Sequence, residues 1–354
     1  MKNQTNVLNN SFKLMENAIL WSDYFLYLLK TVTFLVAFII IVGVLIKASK
    51  SESGGAAKGK LSTVFLNKQW ESLKSHMQQN MLSKKALKAL EKDEKAKKKQ
   101  QAKAPEDKEK AFSILFKGDI QASQVESLRR EVTAILSIAE PGQEVVVSLE
   151  SPGGAVSGYG LAASQLIRLK EAGLKLTICI DKVAASGGYM MACVGDKIYA
   201  APFAIVGSIG VLSQVPNVHR FLKRFDVDVD VLTAGKHKAP LTLMGKNTEE
   251  GRQKHLEDLN AIHQRFKTLV SSQREQLDID AVSEGDFWLA EDAIELNLVD
   301  EIKTSDEYLQ SLAASKDVYR VTWEPQKSLE QRLKGASSAF FESAEALLKK
   351  RWLP

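Results

Sequence analysis

Ser186 is the side chain of this sequence most readily given a chemical task. It sits in Lys182-Val183-Ala184-Ala185-Ser186-Gly187-Gly188-Tyr189, between the strand-like Thr177 to Ile180 and an apolar, helix-like run ending at Cys193. A serine at a strand-to-helix turn has its hydroxyl held up beside helix N–H groups that lack partners. The glycines after it let a substrate backbone come close. Such a serine becomes a nucleophile once a neighbour accepts its proton. The same place also suits a helix N-cap, where serine is favoured. On this stretch alone, both readings stand.

A second glycine-bearing loop, Glu150-Ser151-Pro152-Gly153-Gly154, leads into another predicted helix. Paired glycines at a helix start can present N–H groups to an anion. The loop has neither the Walker spacing nor the dinucleotide fingerprint, which sets nucleotide binding aside. It suits an oxyanion that develops during acyl transfer, with an ordinary tight turn as the alternative. For a base there are His76, His219, His237, His255 and His263, none with an evident carboxylate partner. A triad assembled from distant segments stays open. A lysine can act instead when removal from water lowers its pKa. Lys236 and Lys238, in the loop Thr233 to Pro240 after the strand-like Val227 to Leu232, are the candidates.

Both loops must be held by regular elements. Phe112 to Phe116 reads as a strand. Val125 to Ile138 reads as a helix with Val125, Leu128, Val132, Ile135 and Leu136 on one face. Glu144 to Leu149 is a β-branched buried strand, Ala155 to Ala172 an amphipathic helix and Leu174 to Ile180 a strand. This alternation predicts an α/β fold of βαβ units around a mostly parallel sheet. Ligands of such sheets bind at the carboxyl ends of strands, where both glycine loops fall. The long polar helix predicted within Gly245 to Leu277 carries a packing stripe of Leu256, Leu259, Ile262 and Phe266.

The net charge of +5 over 354 residues is concentrated in the lysines between Lys47 and Lys110, not in the folded body. No aromatics interleave with those lysines as a stacking platform needs, so nucleic acid is not an expected partner. The lysine-rich stretch reads as a solvated helix or linker, with attraction to anionic lipid head groups as its functional reading. The two cysteines, Cys179 and Cys193, lie in apolar runs and read as small buried hydrophobes, with no disulfide framework. Phe25 to Ile46 is apolar enough to span a bilayer as a helix, and its flanks suit a retained anchor better than a cleaved signal. Lys47, Lys50, Lys58 and Lys60 after it outnumber Lys2 and Lys13 before it, which points to a cytoplasmic body. The expected organisation is an N-terminal segment 1–24, a transmembrane helix 25–46, a linker 47–110, a folded domain 111–310 and a basic tail 311–354. Within that tail, Leu329 to Trp352 is partly amphipathic.

Ser151-Pro152-Gly153-Gly154, Lys182 to Tyr189, Val206-Gly207-Ser208-Ile209-Gly210-Val211 and Gly235-Lys236-His237-Lys238 occur in this order. Together they resemble the S49 family of signal peptide peptidases, over roughly Phe112 to Tyr308. The single span and lysine-rich linker are similar to its half-size members of the bacterial inner membrane. The resemblance implies a crotonase/ClpP-like fold of repeated ββα units with a mostly parallel sheet, preceded by one transmembrane helix. It implies a Ser–Lys dyad with Ser186 as nucleophile, Lys238 as general base and Ser208 orienting the lysine. Lys236 is then a surface residue, and Gly153 or Gly154 with Gly187 forms the oxyanion hole. No metal, cofactor or nucleotide is implied. Expected partners are apolar peptide or protein substrates such as remnant signal peptides, membrane lipid, and further copies of the chain in a homo-oligomer. The resemblance places the body outside the cytoplasm, against the lysine count. Two other activities share some of these features: a crotonase-type acyl-CoA enzyme and a non-catalytic membrane scaffold that presents a peptide groove.

Overall fold

The structure is a computed structural model that describes residues 25–39, 42, 59–101 and 108–326. The chain divides into two units, Met1–Lys58 and Gly59–Pro354. In the first unit, residues 25–39 form helix α1, exposed on every face. Among the described residues no helix is long and apolar enough to cross a membrane. Most of the rest of the expected span, residues 40, 41 and 43–46, lies outside the described residues, as do the segment 1–24 and the tail beyond residue 326.

The second unit opens with β1 (Gly59–Phe65), α2 (Leu66–Met81) and α3 (Lys84–Gln101). Then come β2 (Lys110–Lys117), α4 (Val125–Leu136), β3 (Glu144–Glu150), α5 (Val156–Glu171) and β4 (Lys175–Ile180). The site region follows as β5 (Val183–Ala185), α6 (Gly187–Ala192), β6 (Lys197–Ala200), β7 (Ile205–Gly207) and α7 (His219–Lys223). The chain then runs through α8 (Glu249–Gln273), α9 (Ile279–Val282), β8 (Phe287–Leu289) and α10 (Ala290–Glu295). It finishes with β9 (Glu301–Ile302), α11 (Ser305–Ser315) and β10 (Asp317–Pro325).

The main sheet has seven strands in the order β1-β10-β2-β3-β4-β6-β9, and only the β1–β10 pair is antiparallel. The expected α/β class with a mostly parallel sheet is thus observed. Val145, Val146 and Val147 are all fully buried because the sheet is covered on both faces. Val145 and Val147 join the large core with Leu128, Val132, Ile135 and Leu166, whereas Val146 joins a second core with Leu66, Leu309 and Val318. Each fully buried aliphatic side chain of this kind contributes about 1.5–3 kcal/mol.

Four expectations differ from the structure. Gly59–Phe65, inside the stretch read as linker, pairs along its whole length with β10, and Leu66 is buried. Residues 317–325, assigned to the tail, form a sheet strand with Val318 and Val321 in the cores. Val227 to Leu232 is not a strand: alternating aspartates and valines mimic strand periodicity, but among the described residues no strand pairs with them and most are exposed. In α8 the predicted stripe buries only at its far end, at Phe266, while Leu256 stays exposed.

Candidate active site

A three-stranded sheet, β5-β7-β8, carries the site. Strands β5 and β7 are parallel, with Ala185 opposite Gly207, so Ser186 and Ser208 follow side by side at the two strand ends. The Ser186 N–H donates to the Gly207 carbonyl at 2.8 Å, and the Ser208 N–H donates to the Asp286 carbonyl at 2.6 Å. Both serines have left-handed backbones, with φ of 52° and 50°. A non-glycine residue there costs about 1–3 kcal/mol, and such strain gathers at functional sites.

Ser186 occupies the N-cap position of α6, yet its side chain makes no capping hydrogen bond. The Ser186 hydroxyl is thus not engaged as a helix cap, and it makes no hydrogen bond among the described residues. The Gly187 N–H has no acceptor among the described residues. Ser151 lies beside β5 through a parallel bridge to Ala184, and its loop brings Gly153 against the serine. A Cβ on Gly153 would stand 2.8 Å from both the Gly187 nitrogen and Ser186 Cβ, and its φ is +89°. Only glycine allows that approach. The Gly153 N–H donates to Ser151 Oγ at 3.1 Å, whereas the Gly154 N–H has no acceptor among the described residues.

The structure thus brings together Ser186, Ser208, Gly153, Gly154 and Gly187. Lys238 lies on an exposed loop, where its ammonium makes no hydrogen bond or ion pair with the described residues. Lys236 is exposed and paired with Glu250 at 2.6 Å; that hydrogen bond pushes its pKa up and keeps it charged. No histidine bonds to Ser186 among the described residues. His255 meets Ser213 Oγ at 2.9 Å and His263 meets the Ile209 carbonyl at 3.3 Å. Cys179 and Cys193 are free and buried; burial pushes both thiols up, Cys193 to about 12, so neither is a reactive thiolate. Among the described residues no cluster of His, Cys, Asp and Glu is fit to hold a metal.

Sequence reasoning passed over Tyr159 and the Ser151 side chain. Tyr159 is fully buried in α5 with its hydroxyl 2.6 Å from Ser151 Oγ. A tyrosine inside an amphipathic helix reads as core, and nothing in its spacing announces a polar task.

Residues 19–166 match the peptidase family S49 N-terminal region and residues 168–319 match peptidase family S49. The chain is 46% identical over 322 residues to the probable protease SohB of Haemophilus influenzae, covering 87% of this chain and 90% of that protein. It is 39% identical over 321 residues to the putative protease SohB of Buchnera aphidicola subsp. Baizongia pistaciae, covering 87% and 91%. Protease 4 of Salmonella typhi is 27% identical over 198 residues, 55% of this chain and 31% of that protein. With a strained, uncapped serine beside free backbone donors and relatives matched over most of its length, the chain belongs to peptidase family S49.

Proposed function

We propose that the chain is a membrane-anchored serine endopeptidase with a Ser186–Lys238 dyad, cleaving apolar peptides such as remnant signal peptides. The observation that carries this reading is the uncapped Ser186 beside the unpaired Gly187 N–H. The Ser186 hydroxyl attacks the peptide carbonyl as neutral Lys238 takes its proton. Backbone N–H groups of the Gly153-Gly154 loop and of Gly187 hold the tetrahedral oxyanion. The leaving amine departs protonated, and Lys238 then activates water to hydrolyse the acyl-enzyme. Ser208, beside Ser186 across the strand pair, is suited to accept a hydrogen bond that aims the lysine amine. The succession β4, β5, α6, with β4 in the seven-stranded sheet and β5 in the three-stranded one, fits a ββα unit of a crotonase-like fold.

A lysine base works best out of water. Lys238 is exposed in the single chain, and so are Leu212, Phe221, Phe225 and Leu232 of the surrounding segment. A second copy packed over this apolar stretch would cover it and dry the site, which is the reason to read the working form as a homo-oligomer. The apolar side chains exposed around α1, Phe25, Tyr27, Phe34 and Phe38 among them, support anchoring in the bacterial inner membrane through residues 25–46. A reporter fused to the C-terminus, active on one side only, decides the side on which the body lies.

Peptide hydrolysis by the full chain is expected to vanish in Ser186→Ala and in Lys238→Ala. Mixing the two inactive variants restores activity if a neighbour supplies the lysine. Full hydrolysis by Ser186→Ala would refute the serine mechanism.

A further inference from the structure

Tyr159 joins the two halves of the site. Its hydroxyl donates to the Asp119 carbonyl at 2.8 Å and stands 2.6 Å from Ser151 Oγ. The single phenolic proton is committed to Asp119, so Ser151 is the donor in the second pair. Ser151 Oγ in turn accepts the Gly153 N–H at 3.1 Å. A continuous chain therefore runs from the Gly153 N–H through Ser151 and Tyr159 to the Asp119 carbonyl. Burial pushes the Tyr159 pKa up, so the phenol stays a donor.

The ring of the same residue backs the nucleophile turn. A Cβ on Gly187 would lie 2.5 Å from Tyr159 Cγ, and one on Gly188 would lie 2.5 Å from the Ser151 carbonyl oxygen. Tyr159 and Ser151 thus abut both the loop that carries Gly153 and the turn that carries Gly187. The Gly153 N–H, already engaged by Ser151, is not free for an oxyanion.

We infer that Tyr159 is a positioning residue for the oxyanion site. Acting through Ser151, it fixes the Gly153 peptide so that the Gly154 N–H, with the Gly187 N–H, meets the developing oxyanion. Donors fixed in advance need no reorganisation as charge develops, and that is where their catalytic value lies. Without the Tyr159 hydroxyl the Ser151 side chain is free to turn, and the Gly153-Gly154 peptides lose their register against Gly187. This role rests on Ser186 being the nucleophile.

The test compares Tyr159→Phe, Ser151→Ala and the double variant in the full chain. Tyr159→Phe keeps the ring behind Gly187 and removes only the hydroxyl. We expect kcat to fall about ten- to hundredfold, less than the ~10²–10³ for losing an oxyanion donor outright, with KM within about twofold. The double variant is expected to be no slower than the worse single one, because both changes cut one chain. Inhibition by a peptide aldehyde, which forms a tetrahedral oxyanion on Ser186, should weaken with kcat. Inhibition by the matching peptide alcohol should not, whereas a merely structural defect would weaken both.

An unchanged kcat, multiplying losses in the double variant, or equal weakening of aldehyde and alcohol overturns the proposal. If Tyr159→Phe does not fold, Ser151→Ala carries the same comparison. Ser186→Ala keeps the two failures apart. Activity in that variant removes the serine mechanism itself, whereas a dead Ser186→Ala beside a fully active Tyr159→Phe removes only the positioning role.

Discussion

Gly153→Ala separates backbone strain from damage to the site. A Cβ at this position would stand 2.7 Å from the Ala185 carbonyl oxygen and 2.8 Å from the Gly187 nitrogen and Ser186 Cβ. None of these is the tip of a flexible side chain, so the backbone itself must move. The left-handed φ of +89° costs an alanine about 1–2 kcal/mol. The forced shift adds about 1–3 kcal/mol, for a total of about 2–5 kcal/mol. Gly142 supplies the control: its φ is also +89°, but beyond its two chain neighbours nothing would lie within 4 Å of a Cβ there. Gly142→Ala should therefore lose only the first, ~1–2 kcal/mol share. The wedge in Gly153→Ala pushes directly on the Ser186 turn, and if that serine is the nucleophile proposed above a misplacement of about 1 Å is worth roughly 10² in rate. Urea unfolding measures the two stabilities, and kcat for peptide hydrolysis under folded conditions measures the site. Gly153→Ala should be at least about a hundredfold slower while Gly142→Ala keeps wild-type kcat. If both variants lose stability equally and both keep full kcat, the close approach of the two loops is not what the geometry says.

Two further outcomes follow from buried charges. Glu131 accepts the Trp323 N–H at 2.7 Å, and burial pushes its pKa up from 4.5 to about 7 against the smaller lowering effect of that bond. Between those values the folded protein keeps a proton that the unfolded chain has released, so stability falls as pH rises through the window. Glu131→Gln should match wild type near pH 5 and exceed it near pH 8 by up to about 3 kcal/mol. A stability difference that does not change with pH, read by denaturant melts at both values, would contradict the buried carboxyl. Arg274 is 3% exposed and bonds Asp300 Oδ1 at 2.9 Å and Oδ2 at 3.0 Å. Arg274→Met should cost about 3–5 kcal/mol by leaving Asp300 without its counter-charge, and adding Asp300→Asn should recover part of it. A loss below about 1 kcal/mol in thermal or urea melts would show that the pair is effectively solvated.

Much of the fold was legible because its central elements carry clean periodicity. The apolar face of α4, the β-branched run of β3 and the helix after Gly154 were all found within a few residues of their ends. Strand β1 was not, because Gly59 to Phe65 follows a glycine- and lysine-rich stretch and stays largely exposed as an edge strand. Its partner β10 lies more than two hundred residues away, and no local pattern reports such a pairing. At the site, Ser186 and Ser208 stood out by motif, but their adjacency depends on the register of β5 against β7. The Tyr159–Ser151 bond was hidden for the opposite reason, since a fully buried tyrosine in a helix looks like packing alone. Lys238 stood out by motif too, yet the single chain leaves it on an exposed loop.

The register of β1 against β10 has a consequence for the order in which the protein can be made. β10 is wedged between β1 and β2, so β1, made long before it, can take its place in the sheet only after residues 317–325 have followed. Until then the outer edge of β2 stays open, and Leu66 has lost Val318 as a partner in the second core. A nascent chain of this kind carries an unpaired sheet edge from the completion of β2 until residues 317–325 are made. A premature stop shortly before Asp317 would yield a chain that keeps its serine and glycine loops yet cannot close its sheet, and its fate would be decided by chaperones and proteases.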